Sequence, residues 1–292
     1  MSLWSDIARS IADATGQVFV IENRQSVDGG CINAAYRVTG NGRAFFVKTN
    51  ASKNHGMFAA EAAGLHEIAH SGTIRVPQPV CDGRNDEASW LVLEYIEFGG
   101  KRDGRRLGVQ LAAMHRVTAG KFGWKRDNTI GATPQINTPN DDWLEFWREW
   151  RLGFQLHLAA KNCAPRRLLT QGERLLADCA PLLAGREIQP SLLHGDLWGG
   201  NVDFDGGGTP VIFDPAVYYG DRETDLAMTE LFGGFGGDFY AAYDEAFRRD
   251  AGYPVRRTFY NLYHILNHFN LFGGGYAQQA EAMIGETLAE LR

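Results

Sequence analysis

An aspartate, an amide and a second aspartate lie close together in one stretch of this chain. They are Asp196 and Asn201 in Leu192-Leu193-His194-Gly195-Asp196-Leu197-Trp198-Gly199-Gly200-Asn201, and Asp214 in Val211-Ile212-Phe213-Asp214-Pro215-Ala216. The spacing of Asp196 and Asn201 is the one that phosphoryl-transfer loops use, where the Asp orients the acceptor hydroxyl and the Asn binds Mg²⁺. Asp214 then stands where a second metal-binding Asp belongs. Carboxylate and amide oxygens are hard ligands suited to Mg²⁺, which also keeps waters and substrate phosphate oxygens. A polar cluster bracketed by apolar runs is costly to place without partners or a ligand. Phosphoryl transfer is the chemistry to expect.

The flanking pattern gives these residues a frame. Val202 and Phe204, then Val211 and Phe213, alternate as half-buried strands do, and Asp205-Gly206-Gly207-Gly208 between them is a strong turn signal. A hairpin brings its ends together, so Asn201 and Asp214 could approach one Mg²⁺ from opposite strands.

The first third of the chain reads as a small sheet with one helix, a nucleotide-binding half. Strand-like segments fall at 17–21, 34–39, 44–48 and 89–95, and a helix runs from about Met57 to His70. Phe45-Phe46-Val47-Lys48 ends an apolar strand on a lysine, the pattern of a lysine that holds α/β-phosphates. Glu61 shares a helical face with Leu65 and Ile68, so it points inward and can position Lys48 by an ion pair. Gly29 and Gly30 precede a strand; they are either a phosphate-cradling turn or an ordinary hairpin turn. Neither G-x-G-x-x-G nor a Walker-type G-x-x-x-x-G-K-[ST] occurs, which argues against a P-loop protein. Glu94-Tyr95-Ile96 follows a buried strand, and the Glu94 carbonyl and Ile96 N–H could serve adenine. The break between an N-terminal lobe, 1–96, and a C-terminal catalytic and substrate lobe, 97–292, is set there. The second lobe reads as mainly helical, with an aromatic stripe at Trp143, Trp147, Trp150, Phe154 and Leu158 and apolar stripes at 107–115 and 259–272. His115 belongs to a core stripe; Asn267, His268 and Asn270 could line a polyol pocket or serve caps and core hydrogen bonds.

Composition narrows the function classes. The chain has 292 residues, 44% hydrophobic and 22% charged, close to globular averages. A net charge of −6 gives no electrostatic reason to expect nucleic-acid or anionic-membrane partners. No apolar run approaches a membrane span, the N-terminus does not read as a secretory signal, and a cytoplasmic setting is expected. Cys31, Cys81, Cys163 and Cys179 are scattered without C-x-x-C or zinc spacing, which suggests reduced thiols.

The chain also resembles a known family. His194–Asn201, Phe213–Ala216, the string Tyr218–Met228 containing Gly220-Asp221-Arg222-Glu223, Gly29–Asn33, Thr73–Pro77 and Leu271–Tyr276 are similar to the fructosamine/ketosamine 3-kinases, nearly end to end. The resemblance implies an α+β, two-lobed protein-kinase-like fold with a small N-terminal antiparallel sheet. It implies ATP- and Mg²⁺-dependent phosphorylation of the 3-hydroxyl of free or protein-bound ketosamines, whose unstable 3-phosphate then eliminates. Asp196 would orient or deprotonate the hydroxyl, Asn201 and Asp214 would hold Mg²⁺, and Lys48 with Glu61 would hold ATP. His194 and Asp225 would support the loop. Trp198 would either wall the sugar site or pack. Asp221, Arg222 and Glu223 read as an ion-pair cluster or part of the substrate mouth. Cys31 is either a redox switch, giving a disulfide-linked homodimer in place of a monomer, or inert. Asp214-Pro215-Ala216 in place of Asp-Phe-Gly, with no Ala-Pro-Glu after it, argues against a protein-kinase activation segment. An aminoglycoside or choline-type phosphotransferase and a nucleotide-binding pseudokinase are the alternative readings.

Overall fold

The computed structural model describes residues 2–27 and 32–291. The chain forms two compact units, Met1–Asp103 with Val202–Pro215, and Gly104–Asn201 with Ala216–Arg292. The first unit therefore runs past Ile96 and takes back the hairpin that ends at Asp214.

In the first unit, helix α1 (Leu3–Thr15) starts at Ser2, whose hydroxyl accepts from the Ser5 N–H, and buries Ile7 and Ile11 one turn apart. Strands β1 (Asn23–Val27), β2 (Ala34–Gly40), β3 (Arg43–Ala51), β4 (Pro79–Arg84) and β5 (Ala88–Glu94) form an antiparallel sheet in the order β1-β2-β3-β5-β4. Asn41 and Gly42, both at positive φ, close the two-residue turn between β2 and β3. One sheet face and α1 enclose Phe19, Val38, Phe45, Val47, Trp90 and Val92. Each such side chain contributes about 1.5–3 kcal/mol on full burial. Helix α2 (His55–Ser71) packs Phe58, Leu65 and Ile68 inward and stops at Gly72.

The expected strand at 17–21 is not one. That stretch is irregular: Phe19 plugs the core while Val18 and Val20 are exposed. Its alternation is that of an extended segment outside the ladder. The edge strand β1 is exposed at every position, so it leaves no apolar pattern to read. The hairpin pairs Val202–Phe204 with Pro210–Ile212. It joins this unit through a bridge from Val211 to Arg75 and through the Gly99 and Gly100 N–H groups, which donate to the Phe204 carbonyl.

The second unit is mainly helical. Helix α3 (Gly104–His115) buries Leu107, Leu111, Met114 and His115. Asp142 caps the next helix by accepting from the Glu145 N–H at 2.8 Å. That helix is α-helical over Trp143–Phe146, π-helical over Trp147–Gly153 and α-helical again over Phe154–Lys161. The wider turn rotates the buried face off the expected stripe. Trp143 and Trp147 stay inside, but Arg151, Leu152, Gln155 and Ala159 replace Trp150, Phe154 and Leu158. Helices Arg166–Asp178, Ala180–Leu183, Glu223–Leu231, Gly237–Ala246, Tyr253–Phe272 and Tyr276–Glu290 also belong to the unit. Among the described residues no helix is long and apolar enough to cross a membrane.

Candidate active site

Lys48 sits on β3, where the period-2 pattern turns it off the sheet toward α2. Its Nζ donates to Glu61 Oε1 at 2.6 Å and to Asp214 Oδ1. Lys48 is buried, and burial alone would lower its pKa; the carboxylates of Asp214 and Glu61 outweigh that and hold it raised. Burial pushes the Glu61 carboxyl upward while Lys48 pulls it back. Asp214 has φ +58°, a left-handed backbone that an aspartate tolerates better than most residues. Its side chain is 47% exposed, so the carboxylate can take a further partner while Oδ1 engages Lys48. Glu94 closes β5 opposite Phe45, with its own N–H bonded to the Gln78 carbonyl, and Ile96 is buried just beyond. Gly29, Gly30 and Cys31 lie outside the described residues.

In the second unit, Ser191–Leu193 pairs with Tyr218–Gly220, and the loop from His194 to Asn201 emerges from that ladder. Gly195 adopts φ +83°, and a Cβ there would meet the Ala216 carbonyl oxygen at 2.1 Å, so only glycine fits. Asp225 lies beneath the loop. Its carboxylate accepts from the N–H groups of His194, at 2.7 Å, and Gly195, at 2.8 Å. Nε2 of His115 stands 3.2 Å from the same carboxylate, and Nδ1 stands 2.8 Å from the Tyr243 hydroxyl. Burial would raise the Asp225 pKa, but His115 and the backbone donors hold it below the usual range; burial lowers that of His115. His115, read from sequence as a core residue, is thus also the second support of the loop. Only its position at the end of an apolar helix hinted at this, and Tyr243 gave no signal.

The Asn201 amide nitrogen donates to the Asp196 carbonyl at 2.8 Å and to its Oδ2 at 3.2 Å. That fixes the amide orientation and leaves Oδ1 as the oxygen a hard cation would use. Taken each by itself, the Asn201 Oδ1 and the half-exposed Asp214 carboxylate are hard oxygen donors of the kind that Mg²⁺ takes. Trp198 is 38% exposed and lies over Gly200, where a Cβ would come within 2.3 Å of the indole. The ring meets Phe232 edge-on at 6.0 Å, Phe232 meets His268 at 5.2 Å, and His268 meets Tyr276 at 5.1 Å. This half-exposed aromatic ledge begins two residues from Asp196.

The other candidates are engaged in ion-pair and hydrogen-bond networks. Arg186 bonds Asp221, Glu223 and Asp250, Arg256 bonds Glu223 and Asp250, and the Tyr260 hydroxyl donates to Asp221. Asp221 and Glu223 are buried in that network, whereas Arg222 stacks on Phe247 and donates to its carbonyl. Asn267 bonds Gln155 and the Ile130 carbonyl, and Asn270 bonds Gln155 and Asn162.

A strand lysine paired with a helix glutamate beside a five-stranded antiparallel sheet, with a His-Gly-Asp loop on a helical unit, defines a kinase-like phosphotransferase fold. A solved aminoglycoside phosphotransferase shares that fold with a TM-score of 0.63 at 14% identity, over 97% of this chain and 98% of that one. The family is more specific: residues 3–290 match the fructosamine kinase model, and the chain belongs to that family. It is 49% identical to a candidate ketoamine kinase of Synechocystis, over 98% of this chain and 97% of that protein. It is 45% identical to a chloroplastic protein-ribulosamine 3-kinase of Arabidopsis thaliana, over 95% and 86%. A solved candidate fructosamine-3-kinase from Haemophilus somnus matches with a TM-score of 0.89 at 27% identity, over 98% and 97%.

Proposed function

We propose that this chain is a cytoplasmic, ATP-dependent ketosamine 3-kinase that phosphorylates the sugar 3-hydroxyl of fructosamine or ribulosamine adducts. The observation that carries the reading is the complete phosphotransfer set, Lys48, Glu61, Asp214, Asp196 and Asn201, in a chain of the fructosamine kinase family. A set this complete counts against a pseudokinase. The relative named as a protein-ribulosamine 3-kinase supports the position of transfer and the substrate class.

In this reading Asp196 orients the acceptor hydroxyl and takes its proton. Asn201 and Asp214 would hold Mg²⁺, which would supply charge neutralisation for the transferring phosphoryl group. Lys48, positioned by Glu61, holds the ATP phosphates, and adenine meets the backbone at Glu94 and Ile96. Trp198 and the ledge behind it offer an apolar, π-rich face to the amine-bearing end of the substrate, suited to a cationic secondary amine. After enolisation the 3-phosphate product loses inorganic phosphate by β-elimination, and water hydrolyses the imine left behind, which frees the amine and a 3-deoxy dicarbonyl sugar.

The test is ADP release with fructoselysine, ribuloselysine, an aminoglycoside and choline, repeated with Asp196→Asn. Turnover is expected on the ketosamines, with a loss of about 10²–10⁴-fold in the variant, the range for a positioned acid–base group. Turnover on the antibiotic or on choline alone would overturn the reading.

A further inference from the structure

In the first unit one guanidinium ties together two segments that the proposed reading gives different tasks. Arg75 Nη2 donates to Glu94 Oε1 at 2.7 Å, at the end of β5 where adenine is expected. Its Nη1 donates to Asp205 Oδ2, in the turn of the hairpin that ends at Asp214. Asp205 is itself fixed, since Oδ1 accepts from the Gly207 and Thr209 N–H groups at 3.0 and 2.8 Å. The backbone repeats the link. The Ile212 N–H donates to the Arg75 carbonyl at 3.1 Å, the Gly206 N–H donates to the Glu97 carbonyl at 3.1 Å, and Phe98 packs on Phe213 at 5.6 Å.

A surface ion pair contributes little when it joins two groups that are already held. Here the planar fork of an arginine spans two carboxylates on separate segments, a geometry that a lysine cannot reproduce with both bonds intact. We propose that Arg75 is a positioning residue that couples nucleotide binding to metal binding by clasping the adenine edge at Glu94 to the Asp214 hairpin at Asp205. The inference rests on the ATP- and Mg²⁺-dependent reading above.

The test compares ATP affinity by calorimetry in EDTA and in Mg²⁺, for the wild type, Arg75→Ala, Arg75→Lys, Asp205→Asn and the Arg75→Ala/Asp205→Asn double variant. Amide exchange over 203–213 and thermal unfolding are recorded alongside. The gain in ATP affinity from Mg²⁺ should fall about threefold to tenfold in each alanine or asparagine variant, and the double variant should be no worse than either single. Arg75→Lys should recover part of the gain, and exchange over the hairpin should quicken in Arg75→Ala. A simple loss of fold stability would lower the melting temperature and leave the Mg²⁺ gain intact. A gain within twofold of wild type in both single variants, or additive losses in the double, would overturn the role of Arg75. A wild-type protein whose ATP binding ignores Mg²⁺ would instead overturn the reading beneath it.

Discussion

Replacing Asp225 by Asn changes one oxygen to an NH₂ group and should disable the catalytic loop without touching the nucleotide machinery. The buried carboxylate accepts two backbone N–H groups, from His194 and Gly195, and is paired with His115. An asparagine can offer its one oxygen to one of those N–H groups, but its amide nitrogen must then face the other, donor against donor. Hydrogen bonds to a charged group are worth about 1.5–3 kcal/mol each, and breaking a buried pair costs about 3–5 kcal/mol. We take the second range as the net loss, because the bonds converge on one carboxylate and their contributions do not simply add. Total stabilities are about 5–15 kcal/mol, so a wild type near the middle of that range leaves the variant folded at 25 °C. Its melting temperature should drop by roughly 6–20 °C.

Activity should fall further than stability. Asp196 follows Gly195 directly, and a misplacement of about 1 Å at a reacting group can cost about 10²-fold. Lys48, Glu61 and Asp214 belong to the other unit, so KM for ATP should hold within about twofold while kcat falls about 10²-fold. Acid should also discriminate. The Asp225 carboxyl is held below its ordinary value of 3.8, so its stabilisation is present above that pH and lost as pH falls through the lower, folded value. The asparagine variant should lack that acid limb in urea midpoints measured from pH 5 downward. A kcat within threefold of wild type, in a variant that melts earlier, would refute the loop-bracing argument and leave Asp225 a purely structural residue.

Two further substitutions follow from buried titratable groups. Glu61→Gln should raise KM for ATP about 5- to 30-fold with a smaller effect on kcat, because Lys48 keeps Asp214 and loses the partner that aims it; steady-state kinetics would show an unchanged KM if the pair were idle. His264 is buried and pushed from 6.5 down to about 3 by burial, so it stabilises the fold above pH 6.5 and progressively less as pH falls toward 3. Stability should drop by about 2 kcal/mol between pH 6.5 and 5 from this group, and urea titrations of His264→Asn should flatten that slope.

The loop His194–Asn201 was legible because its information is local: the spacing of Asp196 and Asn201 needs no knowledge of the fold. The Lys48–Glu61 pair was legible for a related reason, since a strand's period and a helix's period each turned one charge inward. The chain-distant contact from Lys48 to Asp214 had no such periodic cue. The strand placed at 17–21 failed because alternation reports an extended segment with one buried face, which Phe19 satisfies without pairing. The aromatic stripe from Trp143 to Leu158 departs for a different reason: one widened turn at 147–153 carries Arg151 and Gln155 inside, and no apolar count expects a buried arginine stacked on Tyr218 at 4.0 Å. His115 looked like packing because it is packed, and its second role needed Asp225, far away in sequence, to become visible.

The two compact units give these residues a division of labour that the linear motif conceals. The groups proposed to hold the nucleotide, Lys48, Glu61, Glu94 and Ile96, belong to the first unit, and Asp214 belongs there too, carried by a returning hairpin. The groups proposed to serve the acceptor, Asp196, Trp198 and the bracing Asp225 and His115, belong to the second. Asn201 is the last residue before the chain crosses to the first unit, and Asp214 precedes by one residue the point where it crosses back. If Trp198 serves the acceptor as proposed, substitutions around Trp198 and Phe232 should change substrate choice and leave the nucleotide set as it is. At Gly200 any side chain would strike the indole. The glycine permits the tryptophan to lie where it does, so Leu197-Trp198-Gly199-Gly200 acts as one shaped element, distinct from the phosphotransfer residues that frame it.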